Sequence, residues 1–407
     1  MITNLLQIKW LDYLIYFFIF CLPFETQICT FLYVFGKNIN FHNIQYILHP
    51  LSILIFLSIL SFFYYKQDYK KIFYANKFSI LFIISCFFII FCGYSSTYYF
   101  IGGNKDYFWA NLLFFPISMI VLLFCFARYG DIVIKILFYS YVLFSFLYIL
   151  FYINFIIDYK DSIIISRYNF QYNFLMNSLG NVNKASNLLF LAFLLTFIKK
   201  EENNNWLCLF IISLLIAMFS RLATFLFFTT TIIFFLKKDF FSIKKLLYLF
   251  LFLFLCLLSI FLLDDVTKKE MYNTATLTIR FKIIESWSSY YFAQHLKNII
   301  FGLGFQSYGI LFFNKIDVGS HNLFIDFLNN GGMLSLLGLI CLFSFVFIKI
   351  LFNFKLIVKE NILFYSSIGI FSIFILAFRE YDFVYLKTQT MGGIFFILFY
   401  VKITVNK

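Results

Sequence analysis

The segment GSHNLFIDFLNNGG (residues 319–332) continues directly into MLSLLGLICLFSFVFIKILFN (residues 333–353), and together they indicate the fold class of this chain. The second part is mostly apolar with Lys349 as its single charge, and it is long enough to cross a hydrocarbon core about 30 Å thick as a helix. The first part carries a histidine, three asparagines, an aspartate and three glycines. A membrane helix is thus preceded by an unusually polar cluster.

The composition extends this interpretation to the whole chain. Of its 407 residues, 63% are hydrophobic and 13% are charged, and the mean hydropathy is +0.90. An average soluble chain is about 25% charged. Apolar runs recur from end to end, so we predict an all-α polytopic membrane protein with about twelve transmembrane helices. The predicted spans are 11–34, 44–63, 78–97, 109–127, 132–157, 185–198, 206–219, 221–236, 245–263, 333–353, 362–378 and 390–403.

The placement of basic residues predicts the orientation. The net charge is +13, and the short loops 66–77, 237–245 and 355–360 are rich in lysine, as expected for cytoplasmic loops of a membrane protein. This pattern argues against nucleic acid as a partner. It requires two helices in 206–236, separated at Ser220-Arg221, and it places Arg221 at the outer face. We therefore expect a multi-pass membrane protein with both termini in the cytoplasm.

The domain organisation follows from the spans. We predict a single membrane domain over residues 1–407, with 264–332 inserted as a partly helical periplasmic loop between the ninth and tenth helices. No cleavable signal peptide is apparent, and Pro23 should kink the first span. The eight cysteines all lie in apolar runs without CxxC spacing, so they are interpreted as small core residues.

Four arginines on the predicted outer side are candidates for function. Arg221 interrupts an apolar run, where a charge is expensive and by default indicates function; alternatively it only marks a helix end and extends to the interface. Arg280 opens RFKIIESW in the long loop, where it could equally be a solvated charge. Arg167 and Arg379 lie in two other outer loops.

His321 is the histidine of the opening segment. With Asn322 it could simply cap the following helix, which Gly331-Gly332 would then end before the next span. That interpretation explains the asparagine and the glycines better than the histidine. His295, in the same loop, is assigned a structural role.

Several familiar site motifs are missing from the sequence. The glycines of GLGFQSYG (302–309) do not have dinucleotide-binding spacing, and no Walker lysine motif, HExxH or DxD-like pair occurs. We therefore expect neither a cofactor nor a metal.

The order of the remaining motifs resembles a known family. An arginine begins a helix in SRLATFLF (220–227), and a second opens the external loop in TIRFKIIESW (278–287). G-x-G follows at 302–304, and the His-Asn pair precedes a helix and glycines in SHNLFIDFLNNGGMLSLL (320–337). GNVNKASNLLFLAFLL (180–195) resembles an asparagine-containing entry into a span. Together they are similar to the bacterial O-antigen polymerase and O-antigen ligase superfamily.

This resemblance implies a metal-independent glycosyltransferase of the bacterial inner membrane, with its active site at the periplasmic face. Its donor would be an oligosaccharide on undecaprenyl diphosphate, and its partners would be the bilayer and a chain-length regulator protein. His321 would act as the base, and Arg221 and Arg280 would bind the diphosphate. Arg379 would be a lesser diphosphate ligand, with Asn322 and Arg167 as supporting residues.

Two alternatives stay open: a different acceptor for the glycan, and a transport activity instead of a transferase activity. The amide-rich continuation after His321 favours a polymerase over a ligase that transfers the glycan to the lipid A core. A transporter or flippase of lipid-linked oligosaccharide is the alternative from another class. Against a transporter, the charges concentrate on one face rather than at mid-span.

Overall fold

The computed structural model describes residues 2–24, 50–75, 77–101, 118–158, 285–303 and 322–377, and ten further positions: 28, 48, 190, 194, 225, 226, 229, 230, 232 and 233. Within these residues the chain is helical and contains no strand. The main helices are α1 (Ile2–Cys21), α2 (Pro50–Tyr64), α3 (Lys66–Ala75), α4 (Lys77–Ile101), α5 (Ser118–Tyr129), α6 (Asp131–Asp158), α7 (285–292), α8 (Leu296–Phe301), α9 (Leu323–Phe352), α10 (Phe354–Lys359) and α11 (Asn361–Ala377).

The apolar helices indicate a membrane protein. Two described helical segments, Lys77–Ser95 and Leu323–Phe352, are long and apolar enough to cross a bilayer, and the count rises to three only if the bent pair α2–α3 is taken as one span. Large apolar side chains such as Phe78 and Phe352 are exposed on the outside of the bundle. In water such surfaces would favour aggregation, whereas lipid solvates them.

Helices α4 and α9 form a closely packed antiparallel pair. The rings of Phe82 and Phe345 stack with their centroids 4.8 Å apart, and farther along the pair Gly93 faces Ser335. Residue numbers therefore rise along α4 as they fall along α9. One end of the pair holds Lys77 and the end of α9, while the other end holds the region around Gly331.

Small residues allow this close approach. A Cβ on Gly338 would lie 2.8 Å from the backbone oxygen of Cys86, and one on Gly93 would collide with Ser335. The Ser335 hydroxyl donates to the backbone oxygen of Ile90 at 3.2 Å. Close backbone contact and hydrogen bonds between helices are the usual source of helix association where no water is available.

The predicted spans inside the described residues are confirmed as helices with shifted ends. The spans 44–63, 78–97, 132–157 and 362–378 correspond to α2, α4, α6 and α11. The described part of span 109–127 corresponds to α5, and 333–353 to the second part of α9. The predicted spans between 185 and 263, and 390–403, lie mostly or wholly outside the described residues.

The first α-helix gives way to a 3₁₀ turn at Pro23, and most of the predicted span beyond Phe24 lies outside the described residues. The α-helix α1 ends at Cys21, and a 3₁₀ turn over Leu22–Phe24 contains the proline. Proline lacks the backbone N–H that an α-helix would need at this position. The helix also begins earlier than the predicted start at residue 11.

Two segments predicted as cytoplasmic loops are instead helices. Residues 66–75 form α3, which leaves α2 at an angle of 93°, and residues 354–359 form α10. In α3 the apolar residues Tyr69, Ile72 and Phe73 recur at helical spacing between lysines, which is the pattern of a helix lying along an interface. Because α3 precedes α4 and α10 follows α9, both lie at the same end of the antiparallel pair.

Candidate functional site

Most of the predicted site residues lie outside the described part of the chain. These are His321, Arg221, Arg280, Arg379 and Arg167. The structure does describe residues that follow three of them. Leu226 and Thr230 are buried a few residues after Arg221, Trp287 lies seven positions after Arg280, and α9 begins directly after Asn322.

Asn322 is the N-cap of α9. Its backbone is extended, with φ −147° and ψ 118°, and its side-chain oxygen accepts hydrogen bonds from the backbone N–H groups of Phe324 at 3.0 Å and Ile325 at 3.2 Å. This contact satisfies two donors that a helix start would otherwise leave unpaired. The capping interpretation of Asn322 is confirmed, and the helix begins at Leu323, two residues after His321.

The segment from Asn322 to Gly332, here called the asparagine segment, holds three buried polar side chains. Asp326 is 6% exposed, Asn329 is 1% exposed and Asn330 is 5% exposed. Buried polar groups are costly unless they are hydrogen-bonded. Asp326 lies in the first turn of α9, where a carboxylate interacts favourably with the helix dipole.

Asn329 joins the asparagine segment to the chain that follows Arg280. Its side-chain oxygen accepts from the indole N–H of Trp287 at 3.4 Å, and its backbone oxygen accepts from the N–H of Leu303 at 2.7 Å. Two residues before Asn329, the ring of Phe327 packs edge-on against that of Tyr94 of α4, with the centroids 5.8 Å apart. The asparagine segment therefore contacts two different parts of the chain.

Tyr291 reinforces the same contact. Its hydroxyl donates to the backbone oxygen of Ile299 at 2.7 Å and lies 3.2 Å from that of Leu328. Its ring stacks on Trp287 with the centroids 5.0 Å apart. Burial raises the pKa of the Tyr291 hydroxyl, which therefore remains protonated and able to donate.

Two glycines permit the tightest part of this packing. Gly332 has φ +68° and ψ −168°, a non-helical conformation that breaks α9, and a Cβ there would collide with the backbone oxygen of Ile300. Gly302 has φ +92°, and a Cβ would lie 2.7 Å from the backbone oxygen of Asn329. Only glycine adopts such conformations at low cost. The break at Gly332 confirms the predicted helix boundary at Gly331-Gly332.

These contacts join the asparagine segment to residues 285–303. The two segments are held together by the hydrogen bonds of Trp287, Tyr291 and Leu303, by the stacked rings of Trp287 and Tyr291, and by the close glycine contacts. The arrangement can fix the residues directly beside it in the sequence. In the described part of the chain, no group of three His, Cys, Asp or Glu side chains could hold a metal ion.

His295, by contrast, lies away from this packing. It is exposed, it precedes α8 as N-cap, and its side chain makes no capping hydrogen bond.

No known family matches the chain. Likewise, no curated protein and no solved structure is significantly similar to it.

A second polar cluster was not predicted from the sequence. The Asp12 carboxylate of α1 accepts hydrogen bonds from Tyr65 at 3.0 Å, Arg128 at 3.2 Å and Tyr129 at 2.7 Å. Arg128 also pairs with Asp68 at 3.6 Å. These five residues, here called the Arg128 cluster, join α1, α3 and α5. An aspartate inside a predicted span was the available signal, since such a charge needs a partner.

The five described cysteines agree with the interpretation made from the sequence. Cys21, Cys86, Cys92, Cys125 and Cys341 are free thiols, and Cys86 and Cys125 are buried.

Proposed function

We propose that this protein is a polytopic membrane glycosyltransferase of the O-antigen polymerase type. It joins oligosaccharide repeat units carried on undecaprenyl diphosphate at the periplasmic face. His321 is the proposed base, and Arg221 and Arg280 are the proposed ligands of the diphosphate, with Arg379 as a further ligand.

One observation supports the proposal most directly. The chain that follows Arg280 packs on the helix that follows His321, through the bond from Trp287 to Asn329 and the backbone bond from Leu303 to Asn329. Two motifs separated by about forty residues in the sequence thus lead into segments that are in contact. A catalytic pair needs rigid elements of this kind nearby, because small displacements of reacting groups cost large factors in rate.

The proposed reaction is a displacement at the anomeric carbon of the donor glycan. His321 takes the proton of the acceptor hydroxyl, whose oxygen bonds to that carbon as the bond to the diphosphate oxygen breaks. The leaving diphosphate gains negative charge during this step. Arginine can meet that charge with planar, two-pronged hydrogen bonds to phosphate oxygens.

The test is a set of variants expressed in a strain from which the gene is deleted. His321→Ala and Arg221→Ala should each abolish polysaccharide extension while the protein still accumulates in the membrane. We expect His321→Ala to lower the rate of glycan transfer by about 100-fold or more, since general base catalysis raises a reaction rate by a factor on the order of 10²–10⁴. The measurement is the ladder of surface lipopolysaccharide together with membrane protein abundance.

His295→Ala is the matched control, because this exposed histidine lies in the same region and makes no capping bond. It should leave the ladder intact. A full ladder from His321→Ala would show that the base assignment is wrong.

The deletion strain separates the alternative activities. A core bearing a single repeat unit indicates a lost polymerase, and a bare core with polymer retained on the lipid carrier indicates a lost ligase. Accumulation of precursor in the cytoplasm would favour a transporter and contradict the proposal.

A further inference from the structure

The outward face of α3 carries three exposed lysines. Lys66, Lys70 and Lys71 are all exposed, whereas Tyr69 on the opposite face is 2% exposed. Among the described residues no carboxylate forms an ion pair with any of the three. Like charges one helical turn apart repel each other, so this face favours a negatively charged occupant.

The inner face of α3 is firmly attached to the bundle. The hydroxyls of Tyr69 and Ser61 share a hydrogen bond of 2.9 Å, and Asp68 pairs with Arg128 at 3.6 Å. The guanidinium of Arg128 lies 3.2 Å from the ring centroid of Tyr65. Since α3 leaves α2 at 93°, it runs across the end of the bundle. A helix in this position lies along the membrane surface if α2 runs through the bilayer.

Exposed aromatic side chains flank the lysines. Phe63 and Tyr64 precede α3, and Tyr74 and Phe78 lie at and after its end, with exposed fractions from 64% to 86%. Aromatic rings concentrate at the boundary between hydrocarbon and headgroups. They indicate that the lysines of α3 are at headgroup depth, where lipid phosphates are the abundant anions.

We propose that the outward face of α3 binds the phosphates of anionic phospholipids. The lysines supply the charge, and the Arg128 cluster holds the helix at the correct angle. The surface lies at the opposite end of the α4–α9 pair from the asparagine segment. It is independent of the proposed transferase reaction and would persist in a catalytically inactive protein.

The test places a fluorescent reporter beside the lysines. Tyr74→Trp adds a tryptophan at an exposed aromatic position next to Lys70 and Lys71. The protein is reconstituted in vesicles of phosphatidylcholine and phosphatidylglycerol in which one lipid at a time is brominated. The added quenching, relative to protein without this change, gives the local preference for phosphatidylglycerol.

We expect a preference of about fivefold or more at low salt, because one lysine near an anionic surface contributes roughly that factor. It should approach one in about 1 M salt, where the screening length is about 3 Å. In the triple variant Lys66→Gln/Lys70→Gln/Lys71→Gln the preference for phosphatidylglycerol should also fall close to one, even at low salt.

Two controls separate charge from folding. The triple change of the same lysines to arginine should keep the preference, and Lys297→Gln, an exposed lysine at the other end of the α4–α9 pair, should not alter it. A preference near one in the wild type, a preference that survives the glutamine variant, or its loss in the arginine variant would overturn the proposal. A soluble protein that co-purifies only while the lysines are present, with no lipid preference, would also overturn it.

Discussion

Asp12 and Arg128 show how a charged pair can persist in a membrane protein. The Asp12 side chain is 24% exposed and that of Arg128 is 14% exposed, so water reaches both only partly. The carboxylate receives hydrogen bonds from two tyrosine hydroxyls as well as from the arginine. A charge in such a place is stable only when its partners are present.

Removing one member of this pair should destabilise the protein more than removing both. Arg128→Gln leaves Asp12 without its cation, and we expect a loss of roughly 1–3 kcal/mol in the free energy of unfolding. Asp12→Asn combined with Arg128→Gln should be less damaging, because an amide can still accept from the tyrosines. The measurement is thermal unfolding of purified protein in detergent.

Lys135→Gln is the reference for this comparison, because Lys135 is exposed on α6. It should change the unfolding temperature little. A double variant less stable than Arg128→Gln alone would contradict the pairing argument.

At the residue scale the sequence was informative where chemistry is local. The capping role of Asn322 could be predicted because an N-cap bonds to groups two and three positions ahead. The pairing of Asp12 with Arg128 could not, because it spans 116 positions and depends on how three helices pack. Arg128 had the appearance of an ordinary cytoplasmic loop charge.

At the scale of elements, the break in α9 is the decisive feature. The helix that starts at Leu323 is interrupted at Gly332 and continues to Phe352. The part before the break carries the buried amides, and the part after it is the apolar span. The chain near Ile300 and Gly302 passes so close to the break that no side chain fits there.

A side chain at the break should be strongly destabilising. Gly332→Ala forces a residue with a Cβ into a conformation that costs roughly 1–3 kcal/mol, and it adds a collision with the backbone oxygen of Ile300. We expect the free energy of unfolding to fall by about 3 kcal/mol or more, which is measured as a lower unfolding temperature in detergent. Residual protein should also lose polysaccharide extension, since the support beside His321 is disturbed.

Gly130→Ala separates strain from collision. Gly130 also has positive φ, +54°, but no atom lies within 4 Å of an added Cβ. The free energy of unfolding of the Gly130→Ala variant should fall by only about 1–2 kcal/mol. Equal losses at the two glycines would mean that the contact with Ile300 is unimportant.

The helices themselves were largely predictable, and the short amphipathic ones were not. Long apolar runs predicted α2, α4, α6 and the second part of α9, with helix ends that differ from the predicted ones by up to six residues. Segment 66–77 was predicted as a loop because its lysines dominate its composition. Its helical character depends on burying Tyr69 against the bundle, which composition cannot reveal.

At the scale of the whole molecule, the α4–α9 pair has two chemically different ends. The end with α3 and α10 is rich in exposed lysines, and the other holds buried amides, Trp287 and Tyr291. The asymmetry is the one expected for a protein with a fixed orientation in a membrane. The lysine end corresponds to the predicted cytoplasmic face and the amide end to the periplasmic face.

Labelling of introduced cysteines should reveal this orientation. A membrane-impermeant maleimide should react in intact cells with Lys297→Cys near the amide end. It should react with Lys70→Cys at the lysine end only after the membrane is opened. Both positions are exposed, so folding should be unaffected.

The unmodified protein gives the background from the native thiols. Labelling of Lys70→Cys but not Lys297→Cys in intact cells would reverse the orientation.

The pairing of Asp12 with Arg128 also has a consequence for biosynthesis. Arg128 is synthesised 116 positions after Asp12, an interval on the order of ten seconds at the rate of a ribosome. During that time the first helix carries a carboxylate whose arginine does not yet exist. The first helix therefore reaches its final place only after α5 has been made, and chains truncated before Arg128 should be recognised by quality-control proteases as unfinished.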